Sequence, residues 1–348
     1  MESKQEIIFE TVDGVEGNVG LITLNRPEVL NALSHSMMVA LDKQLVEWDE
    51  DAGIKAVIIR AAAGRAFCAG GDIRAAYERG MQKDSKLIDY FGDEYRADSR
   101  VYHFSKPYIA LLDGITMGGG AGISIHGSYR VATERLVFAM PETGIGFFPD
   151  IGASYFLSRL PQYIGYYLGL VGARIPFNDC LAIGLIDQVV ARDSLDTIVK
   201  NIAATSLARN SDATIAELIR HFSVPVEKSA LMLHQSEIAT CFSKETMEDI
   251  MEALEEYPSA WCEQIANELA LKSPTSLKVT LNALQRGAKL RFDECMKMEY
   301  VLAKHFIASS DFFEGVRAAI IDKDQKPVWR PAKLADVSEA DVEKFFTA

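Results

Sequence analysis

Two carboxylates, Glu142 and Asp150, stand in the stretch Pro141-Glu142-Thr143-Gly144-Ile145-Gly146-Phe147-Phe148-Pro149-Asp150, among apolar side chains, glycines and prolines. A carboxylate in apolar surroundings loses hydration. It is tolerated mainly where it is hydrogen-bonded, paired, or used to move a proton or attack a carbon. Two glycine clusters precede it, Cys68-Ala69-Gly70-Gly71-Asp72 and Gly118-Gly119-Gly120-Ala121-Gly122. Each follows a strand-like apolar run and precedes a helical one; glycine leaves the backbone amides of such turns unobstructed, and a helix start favours negative charge. Two of these turns offer a pair of amides that can hold a carbonyl oxygen as it becomes an oxyanion, a device worth about 3 kcal/mol per donor. Acids together with an amide pair point to acyl chemistry. Taken singly, each feature also has a plain structural use: Glu142 as a helix cap or a partner of Arg159, Asp150 as an Asx turn, Asp72 as a cap, and Gly118 to Gly120 as a close helix contact.

The elements that must position these groups read as an alternating α/β chain. Ile7 to Val12, Val19 to Leu24, Lys55 to Arg60 and Tyr108 to Leu112 are strand-length runs rich in Ile, Val and Leu. Ser34 is a plausible N-cap for a helix whose Met37, Leu41, Leu45 and Trp48 recur on one face. After about residue 190 helical periodicity takes over, as in Met247, Ile250, Met251 and Leu254, then Leu277, Leu281 and Leu284. The expected division is therefore an α/β core over residues 1–205 and a helical region over 206–348. No Pro/Ser-rich linker separates them, so the helical region is expected to pack on the core. Arg79 to Arg100, rich in charge, reads as a mobile helical insertion beside the site.

Bulk properties narrow the function classes. The chain of 348 residues carries 36 basic and 49 acidic side chains, a formal charge of −13, which opposes non-specific binding to nucleic acid or anionic lipid. Cys68, Cys180, Cys241, Cys262 and Cys295 are scattered without metal-ligand spacing and read as reduced thiols. Cys68, beside the first glycine turn, has no histidine near it in sequence and reads as packing. His35, His103, His126, His221, His234 and His305 form no ligand constellation, so no metal is expected. Met1 to Glu6 lack a secretory or transit pattern, Phe346-Thr347-Ala348 is not a peroxisomal tripeptide, and no apolar run reaches membrane-spanning length. A cytoplasmic location, with no membrane and no nucleic-acid partner, is the resulting expectation.

Several motifs in order carry a family resemblance: Asn25-Arg26-Pro27 with Asn31-Ala32-Leu33, Ala66-Phe67-Cys68-Ala69-Gly70-Gly71-Asp72, Gly114 with Gly118-Gly119-Gly120, and Pro141-Glu142. Over roughly residues 5 to 190 the chain resembles the enoyl-CoA hydratase/isomerase (crotonase) superfamily. The resemblance implies a spiral of ββα units, an acyl-CoA thioester as substrate, no separate cofactor, and an oxyanion hole from the amides of Gly71 and Gly119. The superfamily's trimers and paired trimers make a homo-oligomer an expectation too. Hydratases of this family use two glutamates. The chain departs from them, having Gly122 at the first position while keeping Glu142 at the second.

Asp150 stands where the hydratases carry a small residue, and in this the chain resembles the 3-hydroxyisobutyryl-CoA hydrolase branch. The likeness extends through Phe138 to Glu142, Phe148 to Gly152, Tyr155-Phe156-Leu157, Asp311 to Arg317 and Ile321 to Asp324. That branch implies Glu142 and Asp150 as catalytic groups, and Glu94 as a substrate contact alongside Gly119. Arg26 and Lys272 are candidate contacts for the CoA phosphates. The expected activity is hydrolysis of a short 3-hydroxyacyl-CoA. An enoyl-CoA hydratase/isomerase is the nearest alternative, and a non-catalytic CoA- or RNA-binding protein is one of another class.

Overall fold

The computed structural model describes residues 5–207 and 211–347. The terminal readings that rest on Met1 to Lys4 and on Ala348 lie outside the described residues. The β-branched runs form strands β1 (Ile7–Val12), β2 (Asn18–Leu24), β3 (Ile54–Ala61), β4 (Ala66–Cys68), β5 (Tyr108–Leu112), β6 (Ile115–Met117), β7 (Tyr129–Thr133), β8 (Val137–Ala139), β9 (Ile175–Pro176) and β10 (Gln188–Val190). Six of them make a sheet in the order β1-β2-β3-β5-β7-β10, and four make a second in the order β4-β6-β8-β9. β1 runs antiparallel to β2, with Ile7 opposite Leu24, and the remaining pairs of the large sheet are parallel. Parallel strands buried on both faces need continuous apolar runs, and Tyr108 to Leu112 is such a run, buried throughout.

The order of strands shows the repeat. β3 and β4, β5 and β6, then β7 and β8 each send their first strand to the six-stranded sheet and their second to the four-stranded one. Helical segments follow each pair: α2 (Ile73–Met81) with α3 (Leu87–His103), then α4 (Gly119–Ile125), then the 3-10 turn Glu142–Ile145 and the short helix Ala153–Phe156. This is the expected spiral of ββα units. Before it, α1 (His35–Glu50) starts where Ser34 accepts a hydrogen bond from the Met37 amide, and it buries Met37, Met38, Leu41, Leu45 and Trp48.

Two units emerge, interleaved along the chain. The first consists of Met1–Asp72, Asp93–Phe138 and Ile175–Ser229; the second consists of Ile73–Gly92, Ala139–Arg174 and Ala230–Ala348. Both sheets belong to the first unit, save Ala139 at the end of β8. Its core joins Val19, Leu21, Ile58, Ile109, Leu111, Val131 and Val190 to Ile198, Ile202, Ile215 and Ile219 from two later helices. The change of composition at 205/206 thus falls inside the first unit's last segment. The second unit is helical and includes Pro274–Gly287 and Phe292–Phe306. The charged segment from Arg79 to Arg100 is helical as expected but packed: Tyr90 and Phe91 are buried, Phe91 lies 5.6 Å from the Phe147 ring, and Tyr77 lies 6.0 Å from Phe313.

Candidate active site

In the first unit the glycine turn at 70–72 is stitched to the segment before α1. Leu33 N–H donates to the Gly70 carbonyl at 2.9 Å, Asp72 N–H donates to the Leu33 carbonyl at 2.9 Å, and Ala69 N–H donates to the Leu30 carbonyl at 3.0 Å. Asn31, fully buried, donates to the Ala66 carbonyl at 3.0 Å. The Arg26 guanidinium closes the turn, meeting Asp72 at 3.2 Å, Glu6 at 3.0 Å and the Ala32 carbonyl at 2.7 Å. Expected as a contact for CoA phosphates, Arg26 instead has its donors committed to this turn.

α4 starts at Gly119, beside the same turn. The Gly71 amide nitrogen lies 3.2 Å from the point that a Cβ on Gly119 would occupy, so the two expected amides are neighbours. That Cβ would also collide with Glu94 Oε1. Gly71, Gly119 and Glu94 therefore come together within the first unit, and residue 119 must lack a side chain for the Glu94 carboxylate to sit there. One helical turn along α3, Asp98 is fully buried, and its carboxyl atoms lie 2.6 to 2.8 Å from where a Cβ on Gly122 would be. A side chain at 122 would require the Asp98 carboxyl to move. Burial pushes the Cys68 thiol up to about 12, with the charges of Glu94 and Asp98 adding to the effect. A thiol so hard to ionise is a packing group, not a nucleophile.

The second unit holds Glu142 and Asp150, 7% and 6% exposed. Glu142 opens the 3-10 turn, and its carbonyl accepts Phe147 N–H at 3.1 Å. Gly146, at φ +68°, ends the turn in the left-handed region, and a Cβ there would run into the Asp311 carbonyl. Thr143 Oγ1 donates to the Leu170 carbonyl at 2.9 Å, and Gly315 packs directly on the Ile145 backbone. Asp311 is itself held, accepting from Ser273 Oγ at 2.6 Å and Arg330 N–H at 2.9 Å; burial raises its pKa. Phe147 and Phe148 stack into a ring cluster with Phe306 and Phe312, at 5.2 to 5.6 Å. Arg159, a conceivable partner of Glu142, is spent on the carbonyls of Tyr155, Gly287 and Leu290 and on the Tyr155 ring.

Lys272 ends beside this turn, with Nζ 3.3 Å from the Cβ point of Gly144, and burial lowers its pKa. The segment after Asp150 is tied to Glu299, which sequence reasoning passed over, as it did Asp98. A signal existed for both. Glu299 continues the apolar stripe Phe292, Cys295, Met296, Leu302 and Phe306, and Asp98 continues Leu87, Phe91 and Val101, so each is an acid at a core position of a helix. Among the described residues, no group of three or more His, Cys, Asp or Glu is arranged to hold a metal.

Comparison with known proteins puts this geometry in context. The family described as Enoyl-CoA hydratase/isomerase matches residues 19–346. A relative from Danio rerio, named 3-hydroxyisobutyryl-CoA hydrolase, mitochondrial, is 42% identical over 355 residues, covering 100% of this chain and 91% of its own length. Its counterpart of the same name from Gallus gallus is 43% identical, covering 95% of this chain and 87% of its own length. The solved structure of a carnitinyl-CoA dehydratase from Mycobacterium thermoresistibile superposes with a TM-score of 0.90 at 34% identity, covering 99% of this chain and 97% of that one. The names of the hydrolase relatives overturn the expected cytoplasmic location, since both are mitochondrial. The expectation rested on the lack of a leader-like pattern, and such a lack carries no positive information about compartment. With two sheets wound as ββα units, paired glycine turns, and a family match over nearly its whole length, the chain belongs to the enoyl-CoA hydratase/isomerase family.

Proposed function

We propose that this chain hydrolyses the thioester of 3-hydroxyisobutyryl-CoA, releasing the free hydroxy acid and CoA, a step that belongs to valine breakdown. The observation that carries this is Gly122 beside Asp98: glycine stands at the first glutamate position of a hydratase, and the buried Asp98 carboxyl occupies the space next to it. Adding water across a double bond by two glutamates loses one of its partners. Glu142 and Asp150, both nearly buried on one segment, remain to act on a thioester. The hydrolase names of relatives similar over nearly the full chain support the same reading.

In this reading the amides of Gly71 and Gly119 take up the thioester oxygen as it gains charge. Glu142 either attacks the carbonyl carbon, expelling CoA thiolate and leaving a mixed anhydride for water to open, or removes a proton from the attacking water. Asp150 and Glu94 hold the 3-hydroxyl or the water. A polar group built to meet a substrate hydroxyl is left unpaired by an analogue without one, so isobutyryl-CoA should be the poorer substrate. Lys272 is the candidate cation for the CoA phosphates.

Free-thiol release should be followed with 3-hydroxyisobutyryl-CoA, isobutyryl-CoA and an enoyl-CoA. Rapid CoA release from the first, little from the second, and neither release nor hydration with the third is the expected outcome. Hydration of the enoyl-CoA without release of thiol would replace this reading with the hydratase one. Single turnover in ¹⁸O water bears on the two routes: label in the Glu142 peptide marks an anhydride opened by water at the glutamyl carbon, whereas the general-base route puts the label only in the released acid.

A further inference from the structure

The helix Phe292–Phe306 presents an apolar stripe, and in its middle Glu299 has no exposed surface. A carboxyl in that position requires its oxygens to be satisfied. Three donors from one short segment do so: Gly152 N–H to Oε2 at 2.6 Å, Ser154 N–H to Oε1 at 2.9 Å, and Ser154 O–H to Oε1 at 2.5 Å. The segment begins at Asp150, whose carbonyl accepts Ala153 N–H at 2.9 Å, and turns through Ile151 at φ +55° and Gly152 at φ +84°. A β-branched residue in the left-handed region is a backbone outlier, kept only where its surroundings over-determine it. Glu299 supplies that constraint one and three residues after the outlier.

The two acids also sense each other. Burial chiefly, with the nearby charge of Asp150 adding to it, pushes Glu299 up to about 8, against the pull of its three donors.

We propose that Glu299 is a positioning residue for Asp150: its two oxygens clamp the Gly152 and Ser154 amides and so hold the Asp150 carboxyl in the one orientation that meets the acyl 3-hydroxyl or the water. The inference rests on the reading of Asp150 given above. Glutamine keeps the size of Glu299 but places an NH2 group against a donor at one of its ends, which breaks half of the clamp.

The test compares kcat and KM of the full chain on 3-hydroxyisobutyryl-CoA and isobutyryl-CoA for wild type, Asp150→Asn, Glu299→Gln, Ser154→Ala and the double variant Asp150→Asn/Glu299→Gln. Glu299→Gln should lower kcat on the hydroxylated substrate by about 10- to 100-fold, the scale expected for a displaced active group, and lower it several-fold less on isobutyryl-CoA. The preference for the hydroxyl then narrows, as it does in Asp150→Asn. The double variant should be no worse than Asp150→Asn within about threefold, because the second change acts through the first. Ser154→Ala keeps both backbone donors and should shift the preference the same way by a few-fold; it serves as the folded reporter if Glu299→Gln does not accumulate. Equal losses on both substrates, fully multiplicative losses in the double variant, or an unchanged preference in Ser154→Ala when it alone folds would each overturn the role of Glu299. Asp150→Asn with wild-type rate and preference would instead overturn the reading of Asp150, and this inference with it.

Discussion

The glycine turn around Gly71 is closed by the segment before α1, whereas the segment from Glu142 to Ser154 is closed in part from much farther along the chain. Leu33, Asn31 and Arg26 hold the first turn over separations of 35 to 46 residues. Gly152 and Glu299 are 147 residues apart, and Gly146 and Gly315 rest against Asp311 and Ile145. An amide pair needs only bare backbone and a stable turn, which the parallel sheets provide. A buried carboxylate needs donors, neighbours without side chains and a shaped apolar wall, and here the C-terminal helices supply them. The C-terminal helices therefore build the surroundings of the acid-bearing segment in the second unit.

Four experiments can break or sharpen that contrast, beginning with the largest effect. Glu142→Gln should cut kcat by about 10³-fold with little change in thermal midpoint, as expected for loss of a nucleophile or base. A rate within tenfold of wild type would remove Glu142 from the chemistry. Gly119→Ala should cost about 10²-fold in kcat/KM, because its methyl displaces Glu94 beside the amide pair. Full activity with an unchanged fold would show that this turn binds nothing that reacts.

The third expectation concerns pH. Glu299 is raised by burial from 4.5 to about 8, so the folded chain binds this proton more tightly than the unfolded one. Its contribution to stability is complete below about pH 4.5 and is lost as pH rises through about 8. Denaturant unfolding of wild type and Glu299→Gln between pH 5 and 9 should show the wild type's advantage shrinking as pH rises, by up to about 4 kcal/mol. A constant difference would mean that Glu299 titrates alike in both states. The smallest effect falls on the first turn: Arg26→Gln should lower stability by about 1 kcal/mol, since its ion pairs are partly exposed, and leave KM unchanged. A large rise in KM would return Arg26 to the list of CoA contacts.

Much of the fold was legible beforehand. β1 and β5 run over the residues expected from their apolar runs, and Ser34 caps α1 as its spacing implied, because strand runs and amphipathic faces are local patterns. Short strands such as β6 and β9, three and two residues long, are below the length at which periodicity speaks. The charged stretch between Arg79 and Arg100 looked loose because composition averages over both faces of a helix, whereas the buried Tyr90, Phe91, Glu94 and Asp98 occupy only one.

For the candidate site, sequence by itself determined residue types in order: glycines where amides must be bare, Glu142 and Asp150 as the acids gained or kept, and Gly122 as the acid absent. Those choices name a chemistry because each acts through its own atoms. Only the tertiary structure decided that Asp98 fills the space beside Gly122, that Glu94 lies over Gly119, and that Glu299 clamps the turn after Asp150. The physical reason is that the environment of a buried carboxyl is made by elements that meet in space, and long-range contacts leave no spacing to read along the chain.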